Sequence, residues 1–316
     1  MTYSSGGLIQ ATDYNGFVST TAGANINATW NTAYGQTALA TVSATNTVTA
    51  TQWASLVNTL ASLGTHTNTT ITSRSAPTVG QTISILSAVN TDITNVFTNR
   101  YNAYAVGSQY TAWSGTNSKT AGTSGANWSI TFTNTVTWAS AAEASYFFNA
   151  GGLIKIDVAK SSTGNTGDPE WNDLATTLCG DIYISGLATT HTIAGTSYTG
   201  TTKIGGTGSP NTLSTGTGWD ALTAGAGATI VYKQFADTAP YTSNFIQHSI
   251  AKGASSTTLV ITTLWSNSDS DPISGGTAAS GATPGTAPCT IVTYFPPETT
   301  TLTNTWGTPT VAATTS

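Results

Sequence analysis

The sequence predicts an α+β fold, a small helical N-terminal module followed by a mainly antiparallel β-sandwich domain. Three observations carry this expectation. Apolar residues recur at helical spacing as far as about Gly107, they alternate with polar ones beyond it, and the alternating part is broken by glycine-rich turns. The change of period divides the chain into residues 1–107 and 108–316.

The clearest helix begins at Thr49. Thr49 and Gln52 have the spacing of a capping box, and Val48 and Trp53 stand where a hydrophobic staple places them. Trp53, Leu56, Val57 and Leu60 then fall on one face, and Gly64 offers a C-terminal stop. A second helix is expected after Pro77, with Thr78 and Gln81 repeating the capping-box spacing. It runs towards Arg100 on an apolar face of Leu86, Val89, Ile93, Val96 and Phe97. Such stripes need a partner surface, either each other, the Trp30 and Tyr34 region, or a neighbouring subunit.

Residues 108–125 are rich in Gly, Ser, Thr and Asn and read as a linker or long surface loop. Trp128, Ile130 and Phe132 then alternate with polar residues; Asn134 interrupts the apolar set, and Val136 and Trp138 resume it in register. Further strands are expected at Tyr146–Phe148, Leu153–Val158, Asp181–Ser185, Thr190–Tyr198, Thr229–Phe235, Phe245–Ala251, Thr257–Trp265 and Thr290–Phe295, with a helix-like piece at Glu170–Leu178. Many short strands with glycine-rich turns read as a sandwich. No repeat of 20 to 50 residues and no collagen or coiled-coil pattern is present, so any fibre role belongs to a globular head or base and not a shaft.

Only 7% of the residues are charged and about a fifth are Thr, against roughly 25% charged in an ordinary soluble domain. The surface must then be built from hydroxyls, amides and glycine, which repel little and suit packing against identical copies. The net charge of −5 and eight singly scattered basic residues, from Arg74 to Lys252, argue against nucleic-acid binding. No early basic, apolar signal and no membrane-length apolar run is seen, so the protein is expected to be intracellular or to leave its cell without a cleaved signal, as by lysis, and membrane insertion is not expected. Cys179 and Cys289 lack CxxC spacing and read as buried free thiols, with a disulfide as the alternative.

Several stretches resemble virion structural proteins of tailed bacteriophages, particularly those of marine bacteria and cyanobacteria. They are GGLIQATDYNGF at Gly6 to Phe17, YGQ at Tyr34 to Gln36, TATQWASLV at Thr49 to Val57, EASYFFNAGGLI at Glu143 to Ile154, and TYFPPETTTLTNTWGTP at Thr293 to Pro309. The resemblance spans the chain in order. It implies a particle component, such as a tail or tail-fibre protein, and brings no catalytic residues. In FFNAGG, Phe147 and Phe148 supply aromatic area for a core. Asn149, Gly151 and Gly152 permit a positive-φ turn, so the segment reads as a hairpin hinge.

No residue constellation for chemistry stands out. Asp168, Glu170 and Asp173 form the densest acidic cluster, but Asp168 before Pro169, with Glu170 in the first turn, is the pattern of a helix start. Asp269 and Asp271 in WSNSDSDPISGG offer oxygens to Ca²⁺, yet without the distal Glu of an EF-hand they read as a turn. His66, His191 and His248 have no partner at metal-ligand spacing and read as surface or strand residues. The glycines at Gly205 to Gly208 precede no helix that would make a phosphate cradle. Trp128 and Trp138 are expected in the core; Trp113, Trp219, Trp265 and Trp306 sit among small polar residues that permit exposure, and most of these are still expected in the core or an interface.

The expectation is thus a non-enzymatic virion protein, without cofactor or metal, whose partners are copies of itself in a trimer or ring and other virion proteins. A carbohydrate-binding adhesin that contacts host-surface glycan, and a capsid-surface decoration protein, are the alternatives.

Overall fold

The computed structural model describes residues 11–19, 24–79, 88–111, 128–160, 168–267 and 289–315. The fold is α+β, with a helical N-terminal part and antiparallel sheets. The first part holds α1 (Ala11–Val18), a π-helical turn (Ala28–Ala33), α2 (Ala50–His66) and α3 (Val89–Thr98). Both halves of the Thr49–Gln52 capping box form, and Trp53, Leu56, Leu60 and Leu63 are buried along one face of α2. Val48 packs against the same core.

Gly64 does not end α2. The helix runs to His66, and Asn68 takes the positive φ of 51°. Thr69 N donates to Gly64 O and Asn68 N to Thr65 O, the paired bonds of a Schellman motif. Gly64 serves close packing instead, because a Cβ there would lie 3.2 Å from Ile71. The expected helix start at Pro77 also moves. Thr78 and Val79 are not helical, Val79 is 93% exposed, and the described helix starts at Val89. Gln81 and Leu86 lie outside the described residues.

After β1 (Tyr110–Thr111) and β2 (Trp128–Thr137), α4 (Ala141–Asn149) replaces the expected strand at Tyr146–Phe148 and the hairpin at FFNAGG. Ser140 accepts from Glu143 N at the start of α4, and Ala144, Phe147 and Phe148 bury at helical spacing. At its end Gly152 N donates to Phe147 O and Gly151 N to Phe148 O, so the two glycines stop a helix and do not turn a hairpin. Gly151 adopts φ +90°, and an added Cβ would meet Ala103 Cβ at 2.5 Å. The burial expected of both phenylalanines is present.

The chain continues through β3 (Leu153–Ala159), α5 (Asp168–Asp173) with a π-helical continuation (Leu174–Cys179), β4 (Asp181–Ile184), β5 (His191–Ile193), β6 (Thr196–Tyr198), β7 (Thr201–Ile204) and β8 (Thr212–Leu213). It closes with β9 (Thr229–Phe235), β10 (Phe245–Lys252), β11 (Thr258–Asn267), β12 (Cys289–Phe295) and β13 (Thr310–Thr315). One sheet has the order β1-β12-β3-β4-β7 and the other β13-β2-β11-β10-β9-β8; β5 and β6 form a separate hairpin. The inner faces of both sheets contribute to one buried cluster, in a sandwich-like arrangement.

That cluster includes Trp138 with Phe147, Phe148 and Trp219 at ring separations of 5.4–5.6 Å, and Phe148 stacks on Trp219 at 5.1 Å. Trp219, Trp265 and Trp306 are buried, as expected of most of this group, because alternation and turns carry them inward. Trp113 and the side chain of Trp128 lie outside the described residues. Asn134 keeps its register and is buried between Phe132 and Val136.

The same cluster takes in the helical residues, from Tyr14 and Trp53 to Val96. Contacts crossing the 107/108 boundary are specific. Gln36 exchanges two hydrogen bonds with the backbone of Thr303, at 2.8 and 3.0 Å, and Thr305 donates to Tyr34 O. Asn149 Nδ2 donates to Ala33 O, and Gly35, at φ +68°, packs so closely on Tyr146 that no Cβ fits.

Candidate functional site

An open cleft lies at the C-terminal end of α2, with a volume of about 440 Å³. Its wall on one side is the exposed flank of α2 with Thr65 and Asn68; on the other, Thr70, Thr72 and Ser73 run past it. Tyr104 stands at the rim, 45% exposed. The Schellman end of α2 turns the chain back along the helix, which brings these hydroxyls and the Asn68 amide to one opening.

Two buried pairs fix the walls. Arg74 is joined to Asp92 of α3, with both side chains almost fully buried, and Asp92 also accepts from Thr72 N at 3.1 Å. Arg74 Nη1 donates to Thr72 O. The Arg74 guanidinium lines the opening with its charge paired to Asp92, and the other lining side chains are neutral. Behind the rim, Tyr104 N donates to His66 O at 2.8 Å. The His66 ring is fully buried, 5.1 Å from the Tyr34 ring and edge-on to it, with Nδ1 3.0 Å from Glu298 Oε1. Burial alone would push the Glu298 carboxyl up, but hydrogen bonds from His66, Thr300 and Thr301 outweigh it and hold the group well below the usual carboxylate range. Because an ionised carboxylate only accepts, His66 Nδ1 carries the proton in this bond.

All three histidines are buried; of the surface-or-strand reading, the strand part holds for His191 and His248, and His66 is neither. His66 ends α2, His191 lies on β5, and His248 lies on β10 with Nδ1 2.9 Å from Thr263 Oγ1. Among the described residues no group of three His, Cys, Asp or Glu comes together to hold a metal ion. Cys179 is a buried free thiol, its pKa pushed up by burial to about 12; the side chain of Cys289 lies outside the described residues. Asp269 and Asp271 lie outside them too.

Glu170 and Asp173 sit on α5, and the Glu170 carboxyl is pushed up by burial and by the nearby Asp173 and Asp237, against a bond from Thr238. A second acidic group, not singled out in the sequence, joins Asp157 and Asp181 through Lys155 at 3.6 and 3.4 Å, on the outer face of the five-stranded sheet. Burial first, and Asp181 second, raise the Asp157 carboxyl. The lysine between them satisfies both as an ion-pair network.

No family model, curated protein or solved structure matches this chain.

Tyr104 was not visible as a site residue in the sequence. Nothing local distinguishes it from the other tyrosines, since its exposure follows from the return of the chain past His66. Of the tryptophans whose side chains are described, Trp30 is half-buried and the others, Trp53, Trp138, Trp171, Trp219, Trp265 and Trp306, are buried.

Proposed function

We propose that the chain is a structural component of a bacteriophage virion, a tail or tail-fibre protein that acts by assembly and surface contact. The observation that carries this reading is where the phage-like segments lie. Tyr34 to Gln36 meets Tyr146 of the central segment and Thr303 and Thr305 of the closing one, and Asn149 of the central segment bonds the adjoining Ala33, as described above. The resemblance thus falls on residues that hold the fold together and not on a reactive cleft, as fits a family sharing a scaffold. Supporting it, the outer face of the six-stranded sheet carries Thr131, Thr133, Thr135 and Thr137 of β2 beside Thr258, Val260, Thr262 and Leu264 of β11, an uncharged threonine-rich surface suited to packing. Mass spectrometry and immuno-electron microscopy of purified particles test the proposal. Peptides and label at the tail are expected; particles lacking the chain would refute it.

The cleft at Tyr104 favours a second, compatible reading, contact with a neutral host glycan. Sugars stack on exposed aromatic faces and exchange hydrogen bonds with hydroxyls and amides, and this opening offers both with no net charge. A glycan array probed with the chain and with Tyr104→Ala should give binding that the variant loses. Binding unchanged in the variant would remove the cleft from consideration.

A further inference from the structure

The edges of the two sheets are unequal. β1 and β8 are two residues long, and β7 is four residues long and contains Lys203, whose Nζ reaches the carbonyls of Gly206 and Gly208. Short strands and an edge lysine are the usual protections against strand addition. Among the described residues the remaining edge, β13, has neither. It runs for six residues, TVAATT, with no charge, no proline and no irregularity in its register with β2. Thr310, Ala312 and Thr314 are exposed on its outer side, and Val311, on its inner side, packs only partly against the core.

We infer that β13 is an interface, and that it pairs antiparallel with β13 of a second copy about a two-fold axis. A strand placed against itself in this way is self-complementary by symmetry, the commonest arrangement of homodimers. It satisfies the outward backbone groups of both edges at the ordinary strand spacing of about 4.8 Å. It covers the open flank of Val311 and Ala313 with the same residues of the copy. No charged side chain of β13, and none on the outer face of β2 or β11 beside it, repels its counterpart. The two six-stranded sheets then become one continuous sheet, with the threonine-rich surface running across the join. For its use in a particle the inference rests on the assembly role proposed above; the contact itself does not.

The test is sedimentation of the purified full chain alongside Ala312→Lys/Thr314→Lys, which places charge on the edge, and Leu213→Lys on the opposite edge strand β8. The wild type and the β8 variant should sediment at twice the 32.2 kDa chain mass, and the β13 variant at the single mass with an unchanged melting temperature. Hydrogen exchange of the wild type should also show protection at residues 310–315 that grows with concentration. A monomeric wild type, a β13 variant that remains dimeric, or exchange independent of concentration would each overturn the inference. A monomer found in purified particles would remove this contact and leave the virion proposal standing, while a β13 dimer absent from particles would do the reverse.

Discussion

His66 Nδ1 lies 3.0 Å from Glu298 Oε1, a buried pair that ties the last residue of α2 to the segment after β12 across 232 positions of sequence. Removing one member leaves the other polar and enclosed, and Thr300 and Thr301 lose their acceptor as well. Glu298→Ala should therefore cost about 3–5 kcal/mol, read from urea unfolding, with Glu298→Gln costing less because the amide oxygen still accepts. The depressed Glu298 pKa adds a pH dependence. Its contribution is present above the unfolded carboxylate range near 4.5 and is lost as pH falls towards the folded value. Loss of stability in Glu298→Ala no greater than for a surface substitution would mean that the pair is structurally idle.

His248 acts in the same direction by a different cause. Burial against Tyr232 and Thr263 lowers its pKa from 6.5 to about 3, so the folded chain keeps the ring neutral while the unfolded chain protonates it. Stability is full above pH 6.5 and falls between there and about 3. At pH 5 the loss from this group is about 2 kcal/mol, set by the unfolded pKa alone. Urea midpoints of wild type and His248→Phe at pH 7.5 and 5 should diverge in pH slope, the variant being flatter. Equal slopes would contradict a neutral buried ring.

Gly151 stands at φ +90° with Ala103 Cβ in the space a side chain would need. Gly151→Ala should cost about 1–3 kcal/mol from backbone strain, plus the displacement of the segment at Ala103 that bridges to Ile193. Ala103→Gly should recover the second part and not the first, so a double-mutant cycle with positive coupling is expected. Additive costs would place the strain elsewhere.

Neutralising the α5 carboxylates together, by Glu170→Gln and Asp173→Asn, should change stability by at most about 1 kcal/mol. Thermal melts measure this, and under the virion role proposed above, infectivity of particles carrying the variant should be unchanged. An intact fold with abolished infectivity would assign these carboxylates a function that a helix start does not explain.

Local signals were readable and distant ones were not. The Thr49–Gln52 box is written in four residues and forms as expected; the alternation from Trp128 to Trp138 survives even the buried Asn134, because strand register is a local period. The missed helix α4 also had its signals, Ser140 three residues before Glu143 and Ala144, Phe147 and Phe148 at helical spacing. They were outweighed by the adjacent aromatics and the glycine pair, which resemble strand and turn. β13 gave no such warning, since TVAATT is too uniform to show a period and becomes a strand only through β2. The burial of His66 and Trp306, and the exposure of Tyr104, depend on contacts far away in the chain. No single-sequence pattern encodes them.

The position of β2 has a consequence for how the polypeptide is made. Its two neighbours in the sheet are β11 and β13, both encoded more than a hundred residues later, and β3 likewise waits for β12. While the ribosome is still producing the middle of the chain, both sides of β2 stand open, and its apolar alternation is available to any passing strand. Closure of the sheets must therefore follow release of nearly the whole polypeptide, at a loop-closure cost that slows it. Shortened translation products ending before Cys289 should accumulate as aggregates, and a chaperone that holds extended chains should raise the yield of the intact protein.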